Sequence, residues 1–195
     1  MTPDLQPRHR PLCSRCQRPL RACLCAWITP TANRVPLLLL QHPLEVQQAK
    51  GSARLLRLSL RDCRCEVGER FDAAALVAWL GDGAALLYPG EPDAPGSSAT
   101  PGVVPQRLVV LDGTWRKTRK LLHLNPLLQA LPRVALHDVP PARYTIRKAH
   151  GPQQRSTLEA ACLALGALES RPAHYAPLLQ AFDGWVQAQA AFNPS

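Results

Sequence analysis

The sequence predicts an α/β fold, a mostly parallel sheet with helices on both faces, preceded by a small cysteine-rich segment. Three observations carry this reading. The runs "VPLLLL" (35–40), "AALLYPG" (84–90) and "RLVVLD" (107–112) hold apolar stretches of strand length without polar alternation, as strands covered on both faces do. Stretches with helix-start and helix-stop signals lie between and after them, which is the order of a βα-type chain. Residues 1–34 stand apart, being basic, containing Cys and Pro, and showing little periodicity. The expected division is therefore a knuckle-like segment over 1–34 and a main domain over 35–195. A hydrophobic content of 46% in 195 residues is ample for a core of that size.

After the first strand, residues 44–60 suit a helix with Gly51-Ser52 as a weak point. "FDAAALVAWLGDG" reads as a helix from about Asp72 that glycines end, and "AALLYPG" follows as a strand running into a turn. Residues 90–106 are rich in Pro, Gly and Ser and read as an exposed loop. After "RLVVLD" the chain is helical from Thr114. A wheel at 100° per residue places Trp115, Thr118, Leu121 and Leu122 on one side, and Arg116, Arg119, Lys120 and His123 on another. The tryptophan is expected to face the core. "RVALHDV" is a short strand, and "STLEAACLALGALES" opens a helix with the capping box Ser156-x-x-Glu159. A last helix with Pro172 near its start fills about 172–191.

The four cysteines of "CSRCQRPLRACLC", Cys13, Cys16, Cys23 and Cys25, follow the spacing C-x2-C-x6-C-x-C. Four thiols so close in sequence can surround Zn²⁺ tetrahedrally, and a site closed by four thiolates is structural. Redox cysteines are the alternative. Cys63 and Cys65 alternate as strand residues and read as core thiols, and Cys162 reads as a buried helix residue. The amino terminus, "MTPDLQPRHRPLC", has no apolar segment of signal-peptide type, and no run approaches the roughly 18 apolar residues of a membrane span. A cytoplasmic protein with reduced thiols and no membrane contact is expected, and no protein partner is implied.

The net charge of +9 is concentrated in three acid-poor blocks. The first is 1–34, the second is Arg116, Lys117, Arg119 and Lys120, and the third is Arg143, Arg147, Lys148 and Arg155. The rest of the chain is mildly acidic. Basic blocks on an acidic body point to a polyanion, and nucleic acid is the usual one. The alternative is a set of solvated arginine-rich faces.

Asp112 closes a strand and precedes a helix, at the carboxyl end of a strand where open α/β sheets bind ligands. Gly113 permits a close backbone approach there. Asp112 either belongs to a site or merely caps the helix. From this point the residues carry a resemblance. "DGTW" (112–115), followed by "RKTRKLL", resembles the signature of the DTW-domain family of tRNA-uridine aminocarboxypropyltransferases. The four-cysteine segment, "QHPLE" (41–45), "YPG" (88–90), and "YTIRK" (144–148) with "STLEA" (156–160) are similar to that family in order and spacing. The chain departs from the family pattern at Gly51-Ser52 and at Arg155.

The resemblance implies a SPOUT-like sheet, knotted near the cofactor site, and a bacterial-type amino-terminal zinc knuckle. It implies transfer of the 3-amino-3-carboxypropyl group from S-adenosylmethionine to N3 of a tRNA uridine, position 47 of the variable loop, with release of 5′-methylthioadenosine. The family's signature residues Asp112, Thr114 and Trp115 are then the catalytic set. Tyr88, Pro89, Gly90, Leu111, Gly113, Ile146, Arg147, Lys148, Ser156 and Thr157 fall on the cofactor side, with Arg147, Lys148 or the amides of Ser156 and Thr157 available to the donor's carboxylate. Arg116, Lys117, Arg119, Lys120 and Arg143 fall to the RNA. Asp112 either takes the N3 proton or holds the N3–H and orients the base; a free Asp, with a pKa of roughly 3.9, is a weak base unless burial raises it. Rival readings are a SPOUT-type methyltransferase using the same cofactor, and a zinc-knuckle RNA-binding protein without catalysis.

Overall fold

The computed structural model describes residues 11–89, 104–136 and 155–192. In chain order its elements are β1 (Leu37–Gln41), α1 (Ala53–Ser59), β2 (Cys63–Val67), α2 (Ala73–Leu80), β3 (Ala84–Leu87), β4 (Arg107–Asp112), α3 (Trp115–Leu124), α4 (Pro126–Gln129), β5 (Arg133–Val134), α5 (Thr157–Leu168) and α6 (Ala176–Phe192). The strands form one sheet in the order β2-β1-β4-β3-β5, and every pairing is parallel.

The unbroken apolar runs find their reason in the layers. Side chains alternate across a strand, so each central strand feeds two cores. Leu37 and Leu39 of β1, with Leu108 and Val110 of β4, pack with α1, α5 and α6 on one face. Leu38 and Leu40, with Val109 and Leu111, pack with α2, α3 and α4 on the other. Each fully buried leucine contributes about 1.5–3 kcal/mol relative to exposure. Polar residues at alternate positions would cost one of the two cores.

Local signals set most helix ends. The Asp72 carboxylate accepts the Ala75 amide at 2.8 Å to start α2, which stops at Gly81. The capping box at Ser156 is complete in both directions. The helix expected over 44–60 divides instead into a 3-10 turn, Pro43–Glu45, and α1 from Ala53. The break falls at Gly51-Ser52, where the Ser52 hydroxyl is drawn inward to accept the Leu158 amide at 3.3 Å. The last helix is likewise preceded by a 3-10 turn, Pro172–Tyr175. Of the strand expected from Arg133, only Arg133–Val134 pairs within the described residues.

The cysteine segment is packed into the main core. Cys16 and Leu24 are fully buried in the cluster that holds α1, α5 and α6. Trp27 lies so close to α6 that a Cβ on Gly184 would come within 2.3 Å of its ring, so that helix position must be glycine. The Arg18 guanidinium sits 5.3 Å from the Trp185 ring centroid, a cation–π contact.

The topology also fixes where a ligand belongs. From β1 the chain proceeds to β2 on one flank, whereas from the adjacent β4 it proceeds to β5 on the other. The carboxyl ends of β1 and β4 are thus a switch point, where the diverging connections open a crevice. The residues that close those two strands are Gln41 and Asp112, and they are direct partners in register. No helix among the described residues is long and apolar enough to cross a membrane.

Candidate active site

Asp112 is only 6% exposed, and its carboxylate is held from two sides. Gln41 Nε2 donates to Oδ2 at 2.7 Å, and the Thr157 hydroxyl donates to Oδ1 at 2.6 Å. These donors come from β1 and from the first residue of α5, so two segments distant in sequence fix the carboxylate that ends β4. These hydrogen bonds help to offset the cost of burying its charge. Asp112 is not the helix cap, since the position before α3 belongs to Thr114. Thr114 itself is exposed and makes no side-chain capping bond.

A second set of contacts anchors the turn. His42 donates its amide to the Asp112 carbonyl at 3.0 Å. Its ring is buried; Nδ1 accepts the Leu44 amide at 3.2 Å, which leaves the ring proton on Nε2, 2.8 Å from Glu69. Glu69 is also paired to Lys120 at 2.6 Å, and that ammonium foremost holds its carboxyl below the usual range. A Cβ on Gly113 would lie 3.0 Å from Lys117 Cβ and 3.7 Å from His42 Cβ, so this glycine lets α3 close onto the strand ends.

One expectation for α3 is corrected. Trp115 does not face the core: it is 47% exposed and meets Tyr88 edge-on, with ring centroids 5.6 Å apart. As the first residue of α3 it lies beyond the carboxyl edge of the sheet, and helical side chains tilt toward the amino terminus. Its place on the wheel matched Thr118 and Leu121, which are buried, but no sheet lies beneath it. Lys117, grouped by the sequence with the RNA-facing cations and placed on neither side of the wheel, has a partner of its own. It turns inward to the buried Glu45, at 2.7 Å, and is itself only 16% exposed. Arg116 and Arg119 are exposed, with no ion-pair partner among the described residues.

Tyr88 follows β3 and is stacked from behind by the Arg133 guanidinium at 5.5 Å. Tyr88 and Trp115 therefore form an aromatic corner beside a buried carboxylate, a combination that suits a flat heterocycle carrying a nearby cation. Pro89 is exposed next to it, and Leu111 is buried beneath the turn. At α5, the Ser156 amide is engaged by Glu159 Oε2 at 3.0 Å, and the Ser156 hydroxyl bonds the same oxygen at 2.9 Å. The Ser156 amide is thus occupied by the capping box rather than available to an anion, and the Thr157 hydroxyl serves Asp112. Gly90, Arg143, Ile146, Arg147 and Lys148 lie outside the described residues. Gln41 and His42 were legible only as part of "QHPLE", with no role attached to either.

The four amino-terminal cysteines do converge. Their sulfurs all lie within 4.8 Å of one another, with Cys13–Cys25 at 3.6 Å and Cys16–Cys23 at 3.7 Å. A tetrahedron with metal–sulfur bonds of about 2.3 Å has edges of about 3.8 Å, so the set fits such an ion. The Cys16 and Arg15 amides, in that order, pull the Cys13 thiol down to about 6, as amides of a thiolate-binding turn do. Desolvation pushes the Cys25 thiol up to about 12. Cys63 and Cys162 are both pushed up to about 12, chiefly by burial, which makes them inert core thiols.

The family model of the DTW domain matches residues 10–190. The chain is 34% identical over 175 residues to tRNA-uridine aminocarboxypropyltransferase 2 of Drosophila melanogaster, a match covering 85% of this chain and 70% of that protein. It is 31% identical over 179 residues to the protein of the same name from Macaca fascicularis, covering 83% and 58%. Against the Mus musculus protein of that name it is 30% identical over 178 residues, covering 83% and 57%. The chain thus spans between 57% and 70% of the length of these relatives. No solved structure matches it.

Proposed function

The chain belongs to the DTW domain family, and on that premise we propose that it transfers the 3-amino-3-carboxypropyl group of S-adenosylmethionine to N3 of a uridine in tRNA. The observation that carries this reading is Asp112: a buried carboxylate at the switch point of a parallel sheet, held by Gln41 and Thr157, beside an exposed aromatic corner. S-adenosylmethionine supplies an electrophilic carbon next to its sulfonium. Uridine N3 carries a proton and is a poor nucleophile until that proton is accepted. The Asp112 carboxylate takes it. As N3 bonds to the carbon, the carbon–sulfur bond breaks and its electron pair leaves with sulfur as neutral 5′-methylthioadenosine. The proton passes from Asp112 to water.

The leaving thioether is neutral and needs no acid, so alignment of nitrogen, carbon and sulfur supplies most of the rate. Tyr88 and Trp115 flank the donor, with Pro89, Gly90, Leu111, Gly113 and Ile146 around it. Its carboxylate falls to Arg147, Lys148 or the Thr157 amide, because the Ser156 amide is engaged by Glu159. Arg116 and Arg119, with Arg143, hold RNA phosphates. Cys13, Cys16, Cys23 and Cys25 hold a structural Zn²⁺, a role their spacing and convergence support. We take the sheet to be of the knotted SPOUT-like kind, the acceptor to be uridine 47 of the variable loop, and the place of action to be the cytoplasm.

The test is a nucleoside digest of tRNA incubated with the protein and S-adenosylmethionine, read by mass spectrometry. Aminocarboxypropyl-uridine is expected. Methyluridine would replace this reading with a methyltransferase, and unmodified tRNA with no cofactor binding would reduce the protein to an RNA-binding module.

A further inference from the structure

A cleft lined by neither Tyr88 nor Trp115 lies between the cysteine segment and residues 45–54. It has a volume of about 440 Å³. One wall is formed by Gln17–Ala22, the other by Glu45–Arg54, and Gln41 and Gln189 also line it. Two arginines brace the walls against each other. Arg54 donates to the Cys16 carbonyl at 2.7 Å and to the Val46 carbonyl at 3.2 Å. Arg18 donates to the Ala49 carbonyl from the cysteine segment. The cleft is thus preformed, and the cysteine cluster is part of what shapes it.

Its chemistry is specific in kind. Glu45 is the one acid of the lining, and Lys117 neutralises it from outside. Arg21 is exposed and has no ion-pair partner among the described residues. Gln47 and Gln189 make no side-chain hydrogen bond among the described residues, so each offers an amide donor and an amide acceptor. A cation with neighbouring two-way amides matches a phosphate joined to a base edge. The volume is at the low end for a small-ligand pocket and too small for a duplex. Proteins that read RNA sequence do so mainly on unpaired, splayed bases. Gln41 both lines this cleft and donates to Asp112, so one side chain links the cleft to the carboxylate proposed to react.

We propose that this cleft seats one unpaired nucleotide of the RNA substrate, with its phosphate on Arg21 and its base edge on Gln47 and Gln189. The acceptor strand then enters from the cysteine-segment side, opposite the aromatic corner. This rests on the proposed tRNA-modifying function and adds to it the place where the RNA strand is read. It also gives the cysteine segment a direct part in substrate recognition.

The experiment uses the full chain and a tRNA transcript carrying 4-thiouridine in its unpaired positions. Ultraviolet cross-links are mapped to peptides, and binding and turnover are measured in parallel. Cross-links within residues 17–22 or 45–54 are expected. Arg21→Glu combined with Gln189→Ala should raise the KM for tRNA at least about tenfold, equivalent to about 1.4 kcal/mol, with kcat little changed. Circular dichroism checks that the variant is folded, and should it not be, Gln47→Ala with Gln189→Ala carries the same expectation. Cross-links confined to residues 116–123, or an unchanged KM in folded variants, would overturn the proposal. Cross-links in the cleft without any methylthioadenosine release would leave the cleft standing and remove the transferase reading instead.

Discussion

The Thr157 hydroxyl donates to Asp112 Oδ1 at 2.6 Å, joining the start of α5 to the end of β4. That bond, with the matching one from Gln41, fixes the carboxylate at the carboxyl ends of β1 and β4. Asp112→Asn keeps the shape of the side chain and removes its capacity to take a proton. Single-turnover transfer should fall by about 10²–10⁴, the usual worth of a general base, while tRNA and S-adenosylmethionine binding stay near wild type. A folded variant, judged by its thermal transition, with near wild-type turnover would remove Asp112 from the proton transfer.

Lys117 and Glu45 form a largely buried pair at 2.7 Å, and their role is structural. Lys117→Met leaves the Glu45 charge in the core with its nearest cation gone. Denaturant unfolding should show a loss on the order of 3 kcal/mol. Adding Glu45→Gln to the same chain should restore much of it. An unchanged midpoint in the single variant would mean that Lys117 faces solvent.

Arg116 and Arg119 are the exposed cations of α3 that no acid holds among the described residues, whereas Lys120 is shared with Glu69. Neutralising both arginines should lower the slope of log affinity against log salt by about 1.5, because each phosphate contact contributes about 0.7–0.9. A slope equal to wild type would take this helix face out of the RNA interface.

Removing the proposed zinc should do more than loosen an appendage, because Cys16 and Leu24 belong to the main core. Cys13→Ser with Cys16→Ser, or prolonged chelation, should release zinc and lower the thermal transition; structural zinc in small modules is worth about 10–16 kcal/mol. Purified wild-type protein free of zinc under reducing conditions would contradict the assignment.

Where local rules decide, the sequence was readable. β4 spans Arg107–Asp112 as its apolar run predicts, and the Ser156–Glu159 capping box marks the start of α5. The cysteine spacing predicts a cluster that the fold then closes. Failures came where partners are remote. The wheel put Trp115 inside because it assumes a neighbour under every turn, and the first residue of α3 projects past the sheet. Lys117 looked like one cation of four until Glu45, 72 positions earlier, was brought beside it. Gln41 had a usable signal, since it ends an apolar strand just as Asp112 does. Only strand order could make the two neighbours.

The central claim is that the carbon chain, and not the methyl group, leaves the sulfonium. Purified protein, tRNA and S-adenosylmethionine are incubated together, and the small-molecule product is counted against nucleotides modified. One 5′-methylthioadenosine for each modified uridine, lost together with modification in Asp112→Asn, is the result expected. S-adenosylhomocysteine in that proportion would contradict it.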